Sequence, residues 1–264
     1  MKRPSFLRAA AAAMLAAASL LATVDAARAA ELRLLSAGAV ELGLVPALAA
    51  FQRETGHTVQ VEFAAAPAFA ARFAAGPAFD LVIATPGVLD GLARAGSVEA
   101  ARVPVGRVGI GVAVRPGATT PDIANVEALK QALLGADSVV FNRASTGLYI
   151  ETLLGRLGIA EAVNAKAVRY ADGAAVMKHL LAGAPPREFG FGAMTEIVLF
   201  KDRGLRLVGP LPAAVQNYTG YLGAIAVVPG RERSRADAAD ALLRFLESTQ
   251  TRLVFADAGI EALP

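Results

Sequence analysis

The densest run of hydrogen-bonding side chains in this sequence is Asn142-Arg143-Ala144-Ser145-Thr146-Gly147. Ser or Thr ahead of an apolar, periodic stretch caps a helix, and the unpaired N–H groups of the first turn behind it form a ready site for an anion. Ser145 and Thr146 are therefore read as ligand donors, with Asn142 beside them. Arg143 is read as a clamp for a carboxylate through its planar fork, against the alternative of a solvated arginine next to a helix cap. Tyr149, one turn further on, either presents its hydroxyl to a ligand or fills a core with a wet end. A second turn of this kind is Ser36-Ala37-Gly38-Ala39, where small residues let backbone N–H groups approach a ligand, unless Ser36 merely caps the helix. Ala65 and Ala66 make a third by the same logic.

Other chemistry finds little support. His57 and His179 are the only histidines and there is no cysteine, so a metal site would lack the two or more ligands it needs at workable spacing. No S-x-x-K, G-x-S-x-G or P-loop signature occurs. Thr195 and Glu196 follow a glycine-bearing strand. A buried carboxylate is unfavourable near an anion, so Glu196 is read as structural. With the candidate residues limited to small side chains, hydroxyls and one Arg, no perturbed acid or base marks a catalytic centre, and no enzyme activity and no cofactor are expected.

The elements that must carry these turns begin after a leader. Lys2, Arg3 and Arg8 precede an apolar run from Ala9 to Val24, and Ala27-Arg28-Ala29 fits an A-x-A cleavage site. The run is rich in alanine and shorter than the roughly 20 residues a bilayer requires. Residues 1–29 are read as a cleaved secretory signal ending near Ala29, and the mature protein as periplasmic. The leader holds Lys2, Arg3, Arg8, Arg28 and Asp25; of the chain's 26 basic and 23 acidic residues, 22 of each remain. A balanced mature chain without Trp or a basic cluster carries no footprint for nucleic acid. Without cysteine it has neither a lipid anchor site nor a disulfide, so burial alone must hold it.

Short apolar runs then alternate with helical periodicity, which predicts an α/β protein with largely parallel sheets. Strands are expected at Leu32–Ser36, Thr58–Phe63 and Asp80–Ala84, with helices at Val40–Glu54, Ala68–Ala75 (stopped by Gly76-Pro77) and Gly87–Ala95. A long apolar segment, Val108–Arg115, leads to a second unit. It has helices at Asn125–Leu134, Gly147–Leu157 and Ala174–Ala182, and strands at Ser138–Asn142, Ala167–Tyr170 and Glu188–Phe191. A strand at Gly223–Val228 precedes helices at Arg235–Glu247 and Thr249–Ala258. The second unit looks inserted in the first, with crossing strands near Gly109–Arg115 and Tyr218–Val228. One continuous doubly wound domain is the alternative.

Four stretches resemble the periplasmic molybdate-binding family, of the type 2 solute-binding fold. They are Leu35-Ser36-Ala37-Gly38-Ala39-Val40; Phe63-Ala64-Ala65-Ala66-Pro67 with Ala75-Gly76-Pro77-Ala78-Phe79-Asp80-Leu81-Val82-Ile83; Gly147-Leu148-Tyr149 with Leu157-Gly158; and Phe189-Gly190-Phe191-Gly192. The resemblance spans nearly the whole mature chain. It implies two lobes, each a mostly parallel sheet flanked by helices, joined by a two-strand hinge. The lobes are expected at 30–112 with 222–264, and at 113–221. It also implies backbone contacts from the turn at Asp172-Gly173. The family's ligand hydroxyls fall here on Ala39, Ala65, Ala66 and Ala193, and Pro67 lacks an N–H. Each donor to a desolvated anion is worth roughly 1.5–3 kcal/mol, so tetrahedral molybdate loses much of its usual grip.

The expected function is the periplasmic substrate-binding component of an ABC uptake transporter. It would bind a molybdate-like oxyanion or a small organic anion as a monomer and dock on an inner-membrane permease. The alternatives are a secreted ligand-binding sensor and, third, an enzyme on the same fold.

Overall fold

The computed structural model describes residues 29–75, 78–183 and 185–264. The expected leader, apart from Ala29, and the Gly76-Pro77 stop lie outside the described residues.

The first strand, β1 (Glu31–Ser36), passes through a 3₁₀ turn at Gly38–Val40 into α1 (Glu41–Thr55). Leu44, Leu48 and Phe51 form the buried stripe of that helix. Gly56 ends it at φ 76°, a left-handed geometry that costs glycine nothing. The strand-to-helix step repeats as β2 (Thr58–Phe63) to α2 (Ala66–Ala75) and β3 (Leu81–Ala84) to α3 (Pro86–Arg94). Pro86 stands in the first turn of α3, where its missing N–H goes unnoticed.

After β4 (Val103–Val114) comes α4 (Val126–Gly135), capped by the Asn125 side chain on the Ala128 N–H. Then follow β5 (Ser138–Asn142), α5 (Ser145–Arg156) and α6 (Ala160–Asn164), and next β6 (Ala167–Tyr170) and α7 (Gly173–Leu181). The chain continues through β7 (Glu188–Ala193), α8 (Met194–Leu199) and β8 (Arg206–Pro210). It closes with β9 (Tyr218–Ile225), α9 (Arg233–Leu246) and α10 (Thr249–Asp257). The expected elements are present, β2, β5 and β6 with the expected bounds and the others with their ends displaced. Three were not anticipated. α6 and α8 are too short to show a period, and β8 has no fully buried residue to mark a face.

Among the described residues eight strands lie on one hydrogen-bonded path, β2-β1-β3-β9-β4-β7-β5-β6, and a ninth, β8, pairs with β4 off that path. The parallel pairs are β1 with β2 and β3, and β5 with β6 and β7. Every antiparallel pair involves β4 or β9. Up to Gly109, β4 pairs with β9; from Ile110 onward it pairs with β7, and from Gly111 with β8. One strand thus serves both lobes. The return crossing lies just ahead of β9, where the Ile110 N–H donates to the Asn217 carbonyl.

Burial divides at the same points. One core gathers Leu34, Val40, Phe51, Leu242 and Phe255, with Phe69, Phe79 and Leu89 on the other face of that sheet. The other core gathers Val112, Leu129, Phe141, Leu153 and Phe191, with Val140, Met177 and Ile197 on its far side. Each lobe is a sheet with helices on both faces, an arrangement that buries both sides of parallel strands.

Candidate functional site

The carboxyl ends of β1, β2, β3, β5, β6 and β7 converge between the lobes, which is where open α/β sheets place ligands. The space there holds about 470 Å³, mouth included. The 3₁₀ turn at Gly38 and the first turns of α2 and α3 face it from one lobe, and those of α5 and α7 from the other.

Each turn is fixed by local chemistry. Asn142, 4% exposed, accepts the N–H groups of Ala144 and Gly147 on its Oδ1, both at 3.0 Å. That Asx-type turn sets the start of α5. The close return also explains Gly147, because a Cβ there would collide with the Asn142 carbonyl. The Asp172 side chain caps α7 on the Ala175 N–H at 2.8 Å, which leaves Gly173 facing the cleft. The Thr195 hydroxyl donates to the Ala39 carbonyl at 2.5 Å, tying the two lobes at the floor of the cleft.

Of the residues singled out in the sequence, Gly38, Ala39, Ala65, Ala66, Asn142 and Ser145 line the cavity, as do Thr146, Gly173 and Ala193. Three do not. Ser36 is fully buried and its hydroxyl is spent on the Ala37 carbonyl. Tyr149 packs against the second lobe's core, donates to the Val215 carbonyl at 2.8 Å and accepts from Arg156. Arg143 is exposed and lies outside the cavity wall. Its place in the turn is held by its backbone, whose N–H donates to the Tyr170 carbonyl at 2.8 Å.

Three wall residues with polar side chains are not among the sequence candidates: Thr85, Tyr221 and Glu196. Thr85 carried a findable signal, since Thr-Pro-Gly after an apolar strand is a helix start. Tyr221 sits in a strand that reads as ordinary core. Glu196, which the sequence alone marks as structural, is brought into the cavity wall by α8.

Among the described residues the wall has no Lys or Arg, and Glu196 and Tyr221 are its only titratable side chains. Burial pushes the Glu196 carboxyl up to about 7, helped by the charges of Asp172 and Glu41 and opposed by the Ala193 N–H. Glu196 stands third in α8 after Ala193, the position from which a Glu reaches back to the N-cap amide. Burial also raises the Tyr221 phenol, and the Glu196 charge adds to this, while the hydroxyls of Ser145 and Thr219 oppose it. The far side of Glu196 borders an adjoining cavity of about 540 Å³ that is also lined by Glu41 and Asp172. Among the described residues no group of three or more His, Asp or Glu is placed to hold a metal ion. The arrangement supplies neutral donors and helix N-termini for an anion, plus one carboxylic acid poised near neutrality.

Comparison with known proteins agrees with this geometry. A family model for bacterial extracellular solute-binding proteins matches residues 32–261. The aconitate isomerase of a Pseudomonas species is 32% identical over 243 residues, 88% of each chain. Among solved structures, the fold is similar to the periplasmic molybdate-binding protein of Azotobacter vinelandii (TM-score 0.70, 16% identity, 88% of this chain and 99% of that one). It is also similar to the sulfate-binding protein SubI of Mycobacterium tuberculosis H37Rv (TM-score 0.71, 16% identity, 89% and 87%). With one family model spanning both lobes and the cleft between them, the chain belongs to the bacterial extracellular solute-binding proteins.

Proposed function

We propose that this protein is a periplasmic receptor whose lobes, 30–112 with 222–264 and 113–221, close on a small organic acid and present it to an ABC permease. The observation that carries this reading is the cavity wall itself: helix N-termini and hydroxyls, alanine methyls, no cationic side chain among the described residues, and Glu196. A tetrahedral dianion finds too few donors here and is repelled by Glu196 once ionised. An organic acid has carbon to lay against Ala39, Ala65, Ala66 and Ala193, and carboxylates for the helix N-termini. Glu196, protonated near neutrality, can donate to one of those carboxylates. The Pseudomonas relative, named for a tricarboxylic acid, supports the same ligand class.

A thermal-shift screen of residues 30–264 tests the proposal. A ligand that binds only the native state at a hundredfold excess over Kd adds about 2.7 kcal/mol of stability. Expected is a clear upward shift with di- or tricarboxylates and none with molybdate, tungstate or sulfate. A shift with the oxyanions alone defeats it.

A second reading has its own observation. An acid held to about 7 in a cleft is matched to proton transfer at neutral pH, and the 32%-identical relative is named as an isomerase. On that reading Glu196 takes a proton from carbon beside a carboxylate and returns it elsewhere on the same ligand. The helix N-termini would hold the charge that develops meanwhile. Proton NMR of trans-aconitate incubated with the protein in deuterium oxide checks this: conversion to the cis isomer supports turnover, and an unchanged spectrum from a bound ligand leaves transport alone.

A further inference from the structure

We propose that Asn142 reads the ligand, its Nδ2 donating to a carboxylate oxygen in the cavity while its Oδ1 holds the turn that forms the site. This deepens the reading of the cleft as an organic-acid site and rests on it.

The orientation of the amide follows from its partners. Ala144 N–H and Gly147 N–H both converge on one end of the Asn142 side chain, at 3.0 Å each. Two donors require an acceptor, so that end is the oxygen and the nitrogen is fixed at the other. Asn142 is 4% exposed and belongs to the cavity wall. Its Nδ2 has no acceptor among the described residues. An NH₂ group that lines the cavity without a protein acceptor is left to donate to a ligand oxygen. The neighbours sharpen the role. Ser145 and Thr146, at the first two positions of α5, lie beside it. A ligand carboxylate at that helix end would meet backbone N–H groups and the Asn142 amide together.

The geometry also explains why Asn and not Asp stands here. Aspartate would cap the same two N–H groups and suit the positive end of α5. It would, however, present an acceptor and a negative charge to an anion. Asparagine keeps the turn and gives the ligand a donor.

The test uses two substitutions in the mature chain and trans-aconitate as the calorimetric probe. Asn142→Asp retains the oxygen that caps the turn. Asn142→Thr also offers a capping oxygen, removes the second amide donor and adds no charge. Wild type is expected to bind. Asn142→Thr should bind at least tenfold more weakly and Asn142→Asp more weakly still, each with a melting temperature within a few degrees of wild type. Binding by Asn142→Thr within twofold of wild type overturns the role of Asn142 even if Asn142→Asp fails, since charge alone then accounts for the loss. If Asn142→Thr does not fold, Asn142→Ser, which also offers a capping oxygen and adds no charge, decides: tenfold weaker binding supports the assignment and binding within twofold of wild type overturns it. An absence of binding by wild type to trans-aconitate and to every other carboxylate of the thermal-shift panel overturns the organic-acid reading, and this proposal with it.

Discussion

The side-chain amide of Gln216 pairs with both backbone groups of Ile110, accepting its N–H at 3.1 Å and donating to its carbonyl at 3.0 Å. Ile110 is the residue at which β4 leaves β9 for β7. The same two groups also meet the Asn217 carbonyl at 3.2 Å and the Leu211 N–H at 3.1 Å. One glutamine therefore braces the point about which the lobes would turn, sharing the load with loop backbone. Replacing it with Met keeps its length and removes both bonds, together with the one its Oε1 accepts from the Asn217 N–H at 2.8 Å. With the backbone partners remaining, Gln216→Met should cost about 1–2 kcal/mol in urea denaturation. It should also widen the apparent conformational range, seen as a larger radius of gyration by solution scattering in the absence of ligand. An unchanged radius together with unchanged stability would mean that the loop backbone alone fixes the crossing.

Glu196 makes stability depend on pH in a defined direction. Its folded pKa of about 7 lies above the ordinary 4.5, so the folded state holds the proton more tightly than the unfolded one. The stabilisation is fully present below pH 4.5 and is lost as pH rises through 7. At 1.36 kcal/mol per pKa unit the loss is roughly 3 kcal/mol at most. Glu196→Gln keeps an oxygen for the Ala193 N–H, as the capping position permits, and cannot ionise. Its melting temperature should stay flat between pH 5 and 8, where that of wild type declines. Parallel curves for the two proteins would show that Glu196 is ionised throughout.

How much of this was legible beforehand depended on whether a residue's role was local. Leu44, Leu48 and Phe51 reveal α1 because a helix repeats over a few residues, and Ser145-Thr146-Gly147 reveals a helix start for the same reason. The turns of the cleft were readable as turns. What each side chain faces across the cleft is set by chain far away. Thr195 meets Ala39 only because β7 and β1 end at the same place. Glu196 enters the wall on a six-residue helix too short to leave a pattern. The pairing of β4 with β9, β7 and β8 is long-range in the same way: an apolar run states that a strand is buried and leaves its partners unnamed. Arg143 is the opposite case. A local rule gives a cation beside a helix N-terminus a plausible ligand, and the structure leaves its side chain exposed outside the cavity wall.

Arg143 accordingly becomes a negative control. It stands outside the cavity wall and is exposed, while its N–H, which fixes the turn, belongs to the backbone and survives any substitution but proline. Arg143→Ala should leave the Kd for an organic acid within twofold of wild type and the melting temperature unaltered. A loss of tenfold or more would mean that the lobes rearrange on binding enough to bring the guanidinium to the ligand.

Gly173 offers the sharpest steric test of the cleft. It opens α7, is buried, and faces Glu196 so closely that a Cβ would overlap the Oε2 atom. It has no positive φ, so alanine there brings no backbone strain. Any loss on Gly173→Ala must therefore come from the collision with the carboxylate. If that carboxylate is fixed by packing, the substitution should destabilise the protein by about 1–3 kcal/mol and lower affinity for an organic acid at least tenfold, because Glu196 is pushed into the ligand's space. If Glu196 instead swings toward the adjoining cavity beside Glu41 and Asp172, stability is kept and only binding falls. Wild-type affinity and stability together would show that neither Gly173 nor the carboxylate it faces belongs to the binding site.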